Sequence, residues 1–111
     1  MPAQDEFHGL NDLHLKQELE AYVKEANCQV LPEIMGEVTR ADLKRAIIWV
    51  AALRAEYLKA VVELARLQDG HGDREALQAL TQKRLAFEEA LEGVSALRHA
   101  INQNYIGIHT G

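Results

Sequence analysis

The chain has little cysteine to work with: Cys28 is the only one in 111 residues. A single thiol forms no internal disulfide, which excludes a stapled, secreted-type scaffold. Cys28 reads as a small hydrophobe near a helix end. Long apolar runs are missing too. The longest, "AIIWVAAL", spans eight residues from Ala46 to Leu53, against the roughly 20 needed to cross a bilayer. The opening residues, "MPAQDEFHG", are acidic and lack the apolar stretch of a signal peptide. No strand-like alternation of useful length and no low-complexity segment occurs. Positive charge is in deficit: 12 basic against 17 acidic side chains leave −5. That balance argues against general binding to nucleic acid or an anionic membrane. The expectation is a cytoplasmic chain with no membrane partner, no cofactor and no metal.

What is present reads as one helical domain over 1–111, with apolar residues at 48% and charged residues at 26%. Residues 1–9 look like a loose leader. A first helix is expected over about 11–31, capped by Asn11 or Asp12, with an apolar stripe at Leu15, Leu19, Tyr22 and Ala26. Pro32 is expected to end it, with Gly36 as a second breaker. The second helix has the clearest start signal. In "VTRADL", Thr39 is an N-cap, Asp42 occupies the capping-box position, and Val38 and Leu43 occupy the hydrophobic staple. It is expected to run to about 68. A third helix follows over about 74–104, and "YIGIHTG", residues 105–111, is a tail without an assignable pattern.

Between the second and third helices lies "DGHGD". Asp69, His71 and Asp73 are metal-ligand types. Counted as an EF-hand loop from Asp69, the sixth position is Arg74 instead of Gly and the twelfth is Leu80 instead of Glu. No fourth ligand stands at a zinc spacing. A turn accounts for the same residues: Gly70 or Gly72 closes one helix, and Asp73 caps the next.

If the two long helices fold back about that turn, their apolar seams pair in mirror order. One seam is Leu43, Ile47, Val50, Arg54, Tyr57, Val61 and Leu64. The other is Leu77, Leu80, Arg84, Phe87, Leu91, Val94 and Arg98. Leu64 then meets Leu77, Val50 meets Leu91, and Leu43 meets Arg98. Arg54 falls on Phe87 and Arg84 on Tyr57, two cation–π pairs that let arginines lie along the seam.

Two helices leave "AIIWVAAL" uncovered. Net charge is −6 over residues 1–38, +3 over 39–68 and −2 over 69–111, so an acidic first helix complements a basic second one. The expected architecture is an all-α bundle: a long antiparallel hairpin (about 39–68 and 74–104), a shorter N-terminal helix, and a second copy forming a homodimer. Trp49 and Leu53 are the candidate interaction surface.

Candidate chemistry is thin. His14 and Glu18 share a helix face at i and i+4, without the second histidine of HExxH. His99 stands where a phosphotransfer histidine would, without the lysine–glycine context of such domains. Arg40, Lys44, Arg45, Arg98 and His99 form a candidate basic end, without an aromatic platform for nucleic acid. No catalytic residue stands out. The expected function is protein–protein interaction, as a small bacterial or phage-like adaptor, secretion chaperone or regulator of another protein. The alternatives are a small helical enzyme or phosphotransfer module on His99 or His14/Glu18, and a nucleic-acid-associated regulator.

Overall fold

The computed structural model describes the backbone of residues 2–67 and 74–110, and side chains from residue 12 onward within those ranges. The chain runs α1 (Pro2–Met35), β1 (Val38–Thr39), α2 (Arg40–Ala65), α3 (Arg74–Asn102) and β2 (Ile108–His109). It is an all-α protein in which α2 and α3 pack together along most of their length as a hairpin.

Helix α2 starts as its sequence dictates. The Asp42 N–H donates to Thr39 Oγ1 at 3.1 Å, and the Thr39 N–H donates to Asp42 Oδ2 at 3.0 Å. Both halves of the capping box are therefore made. Val38 is buried and Leu43 packs against it, which completes the staple.

Helix α1 departs from expectation. It is the longest element, at 34 residues, instead of a short helix over 11–31. It begins at Pro2 and so takes in the stretch expected to be a leader. Proline is tolerated in a first turn because its missing N–H would have no partner there. Pro32 does not end the helix; it lies inside the last turn. The backbone bond lost at Pro32 is offset by Leu31, which packs against Val38, Ala100 and Ile106. Termination falls to Gly36, at φ 66°. Its N–H donates to the Pro32 carbonyl at 2.9 Å, closing an αL cap.

Residues 105–110, left unassigned by the sequence pattern, fold back onto the end of the hairpin. Asn104 takes φ 62° at the end of α3. The Tyr105 N–H reaches the Ala100 carbonyl at 2.9 Å and the Asn104 N–H reaches Ile101 at 3.0 Å. These two bonds define a Schellman turn. The chain reverses there, buries Ile106, and pairs Ile108 and His109 in parallel with Val38 and Thr39. A two-residue strand is too short to leave a periodic signal.

The core sits at one end of the hairpin, around Val38, Ala100 and Ile106. Val50 and Ala90 are also buried, farther along the seam. The principal extents are 71 × 48 × 17 Å and the radius of gyration is 22.4 Å, against about 13 Å for a compact domain of this length.

Candidate interaction surfaces

The hairpin seam keeps Leu43, Val50, Tyr57, Leu64, Leu80, Arg84, Phe87 and Val94 of the expected pattern, while Ile47, Arg54, Val61, Leu77, Leu91 and Arg98 are exposed. On α2 the buried and half-buried positions include Leu43, Ala46, Val50, Leu53, Tyr57, Ala60 and Leu64. On α3 they include Leu80, Arg84, Phe87, Ala90, Val94, Leu97 and Ile101. Tyr57 stacks on Phe87 with centroids 6.2 Å apart. Counting in opposite directions from that stack sets Val50 against Val94 and Leu43 against Ile101. The expected cation–π contact of Arg54 with Phe87 is present at 5.0 Å. Arg84 instead lies 3.3 Å from Glu88 on its own helix, and Tyr57 gives its ring to Phe87.

The difference between the expected and observed seams has a geometric meaning. At 3.6 residues per turn, the expected set on each helix is rotated by about 45° from the contact set. In an antiparallel pair, both rotations turn toward the same side of the hairpin. The apolar arcs of α2 and α3 therefore point past each other, toward one open face. Ile47 is 61% exposed on that face, with Val61 and Leu91 also open to solvent. Leu43, Ala46, Ile47, Val94, Leu97, Arg98 and Ile101 line an apolar groove there.

Helix α1 does not cover this face. Its contacts with the rest include Leu31 in the core and Cys28 beside Asn104, and Asn27, Leu31 and Met35 border a cleft with Gly93, Ala96, Leu97 and Ala100. Those α3 residues lie on the opposite side of the helix from Leu91 and Arg98. The apolar stripe of α1 lies about a third of a turn from its docking line. Leu15, Leu19, Tyr22 and Val23 on that stripe are all more than half exposed. The docking of acidic α1 along basic α2, expected from charge, is thus absent within one chain: the short link through Gly36 and Glu37 and the Leu31 anchor direct α1 elsewhere.

The other candidate residues are scattered. Trp49 is 55% exposed on the flank of α2 away from Ile47, while Leu53 is half-buried in the seam. The basic end divides. Arg98 lines the groove, and Arg40 and Lys44 fall on the same flank of α2 as Ile47. Arg45 turns to Asp42, 2.8 Å away. His99 meets Tyr105 edge-on at 6.2 Å, beside the α1 contact. His14 and Glu18 are exposed on α1. Cys28 is exposed, its thiol 3.8 Å from the Asn104 carbonyl. Asp69, Gly70, His71, Gly72 and Asp73 lie outside the described residues. Among the described residues, no helix is long and apolar enough to cross a membrane, and no cluster of three metal-ligand side chains forms.

Among the described residues, the one perturbed carboxylate is Asp42. The Thr39 backbone N–H, then the Thr39 hydroxyl and the nearby Arg45, hold it below its ordinary value. That perturbation belongs to the helix cap.

No protein-family model, curated protein or solved structure matches the chain.

The sequence pattern missed the groove residues Ala46, Leu97 and Ile101. A signal for them existed: Leu43, Ala46, Val50, Leu53, Tyr57, Ala60 and Leu64 also step by three and four. On a helix apolar nearly all round, both registers fit.

Proposed function

We propose that this chain is a protein–protein interaction module that acts through its helical surfaces, as an adaptor, secretion chaperone or regulator of another protein, and that it works as a homodimer. The supporting observation is the amount of apolar side chain that the chain leaves uncovered. Leu15, Leu19, Tyr22 and Val23 on α1, and Ile47, Ile48, Trp49 and Leu58 on α2, are each more than half exposed. Soluble monomers rarely display contiguous apolar patches of this kind unless they bind something. The surface offers helix faces and shallow grooves, which suit helical partners.

Trp49 is the side chain expected to matter most for another protein, since exposed tryptophans dominate interface energetics. Capture from the native host with wild-type bait is compared with Trp49→Glu and with Gln78→Glu, a change on the polar surface of α3. The wild type and Gln78→Glu are expected to retain the same specific protein and Trp49→Glu to lose it. Equal recovery by all three baits rules out Trp49 as the contact. Absence of any specific protein on the wild type counts against the interaction reading.

A further inference from the structure

We infer that two copies of this chain complete each other by exchanging α1: the apolar stripe of one protomer's α1 lies on the open face of its partner's α2–α3 hairpin, and the reverse. This rests on the interaction-module reading and names the occupant of one surface.

Three observations carry it. The first is area. The chain exposes 9060 Å², whereas a compact monomer of its mass exposes about 6,100 Å². The excess, about 3,000 Å² per chain, falls in the range that obligate dimers bury between two partners. Covering only part of it on each copy suffices for a stable dimer.

The second is direction. The arcs of α2 and α3 converge on a face that has no second layer. The chain's own α1 cannot supply that layer. It is anchored through Leu31 on the other side of α3, and its Leu15, Leu19 and Val23 border a cleft with Gln103 and Tyr105 instead of the open groove. Swinging it across would break the contacts of Leu31 with Val38, Ala100 and Ile106. A partner's α1 faces no such constraint, and reciprocal docking about a two-fold axis closes the assembly.

The third is charge, which selects α1 over a second hairpin. The open face carries Arg54 and Arg98, with Arg40 and Lys44 on its α2 flank and Glu88, paired with Arg84, on its α3 flank. Two such faces set against each other would bring like charges together. The stripe of α1 is bordered by Glu18 and Glu25, one above the other at seven residues. Residues 1–38 sum to −6, while 39–68 sum to +3 and 69–111 to −2. The acidic α1 therefore suits the basic side chains on the open face, most of them from α2, across chains.

The test is charge reversal on each side. The arm variant is Glu18→Lys with Glu25→Lys; the hairpin variant is Lys44→Glu with Arg98→Glu. All four positions are exposed, and none belongs to the core or a helix cap. Sedimentation at micromolar concentration is expected to give the wild type twice its 12.4 kDa chain mass. Each variant alone is expected to dimerise at least about tenfold more weakly. Mixed in equal amounts, the two variants regain wild-type association, because both exchanged contacts become complementary again.

A hairpin variant that dissociates while the arm variant stays dimeric identifies hairpin-on-hairpin packing and overturns the exchange. So does a mixture that fails to recover. A photo-crosslinking residue at Leu19, in a mixture of isotope-labelled and unlabelled chains, gives a readout independent of variant folding. Mixed-label products joining residue 19 to α2 or α3 support exchange; same-label products alone show that the chain's own α1 covers the face, and overturn it. A monomeric wild type that still captures another protein through Trp49 also overturns exchange, while leaving the interaction module standing.

Discussion

Thr39 and Asp42 make two reciprocal hydrogen bonds, and those bonds decide where α2 begins. Thr39→Ala is expected to lower stability by about 1 kcal/mol, within the usual 0.5–2 for a lost cap, read from urea unfolding. The pH response follows from Asp42. Its folded pKa lies below the ordinary aspartate value of 3.8. A depressed carboxylate contributes stability that is complete above the unfolded value and is lost as pH falls through the folded one. The loss therefore begins below pH 3.8. Asp42→Asn removes that contribution, so the gap in melting temperature between wild type and variant is expected to narrow as pH drops from 5 toward 2. A gap independent of pH would falsify the role of the charge. At the end of α1, Gly36 sits at φ 66° with open space where a Cβ would be. The cost of Gly36→Ala is thus one of backbone conformation alone, about 1–2 kcal/mol.

At the scale of elements, the hairpin register hangs on Tyr57 against Phe87. Paired cysteines at Val50 and Val94, in a Cys28→Ser background, are expected to form a disulfide within one chain. A pair at 50 and 91 is expected to form it more slowly, because Leu91 lies on the open rim and not in the seam. Faster closure by the second pair would restore the register read from sequence. The surface ion pairs Lys59–Glu63 and Arg84–Glu88 are exposed and within one helix. Such pairs contribute little individually, so α2 and α3 owe their association to the seam. Helix α1 is anchored to its own chain toward its C-terminal end, through Leu31 and Cys28, and its N-terminal half is expected to exchange amide hydrogens faster than α2.

The whole molecule is thin and extended, 17 Å across its smallest dimension. Among the described residues, the buried ones are few: Val38, Ala100 and Ile106 at one end of the hairpin, and Val50 and Ala90 along the seam. The proposed exchange of α1 between copies would supply a further layer over the open face. Because that contact joins an acidic helix to a basic face, its affinity is expected to fall with added salt, as screening shortens the reach of surface charge. The dimer dissociation constant measured across a sodium chloride series reads this directly. An affinity that rises or stays level with salt would point to an interface held by apolar contact alone.

Some of this architecture is local, and local features are legible in a sequence. The capping box at Thr39 and Asp42, the staple of Val38 and Leu43, the extent of α3 and the placing of Arg54 on Phe87 depend on residues a few positions apart or on one fold-back. Their physics is carried by backbone donors and helical spacing, which the sequence states outright. Other features depend on contacts far apart in the chain. Pro32 predicts a helix end, yet Leu31 gains enough from Val38, Ala100 and Ile106 to carry α1 past it. The tail's Ile108 and His109 carry no pattern, yet they pair with Val38 and Thr39 once the Schellman turn at Asn104 reverses the chain. On α2, apolar on nearly every side, two registers satisfy the same spacing, and only the packing of α3 separates the seam from the open face. Composition and periodicity determined that there would be an apolar hairpin with too little to cover it. The tertiary structure decided which side of that hairpin is left open, because the anchor of α1 sits on the other.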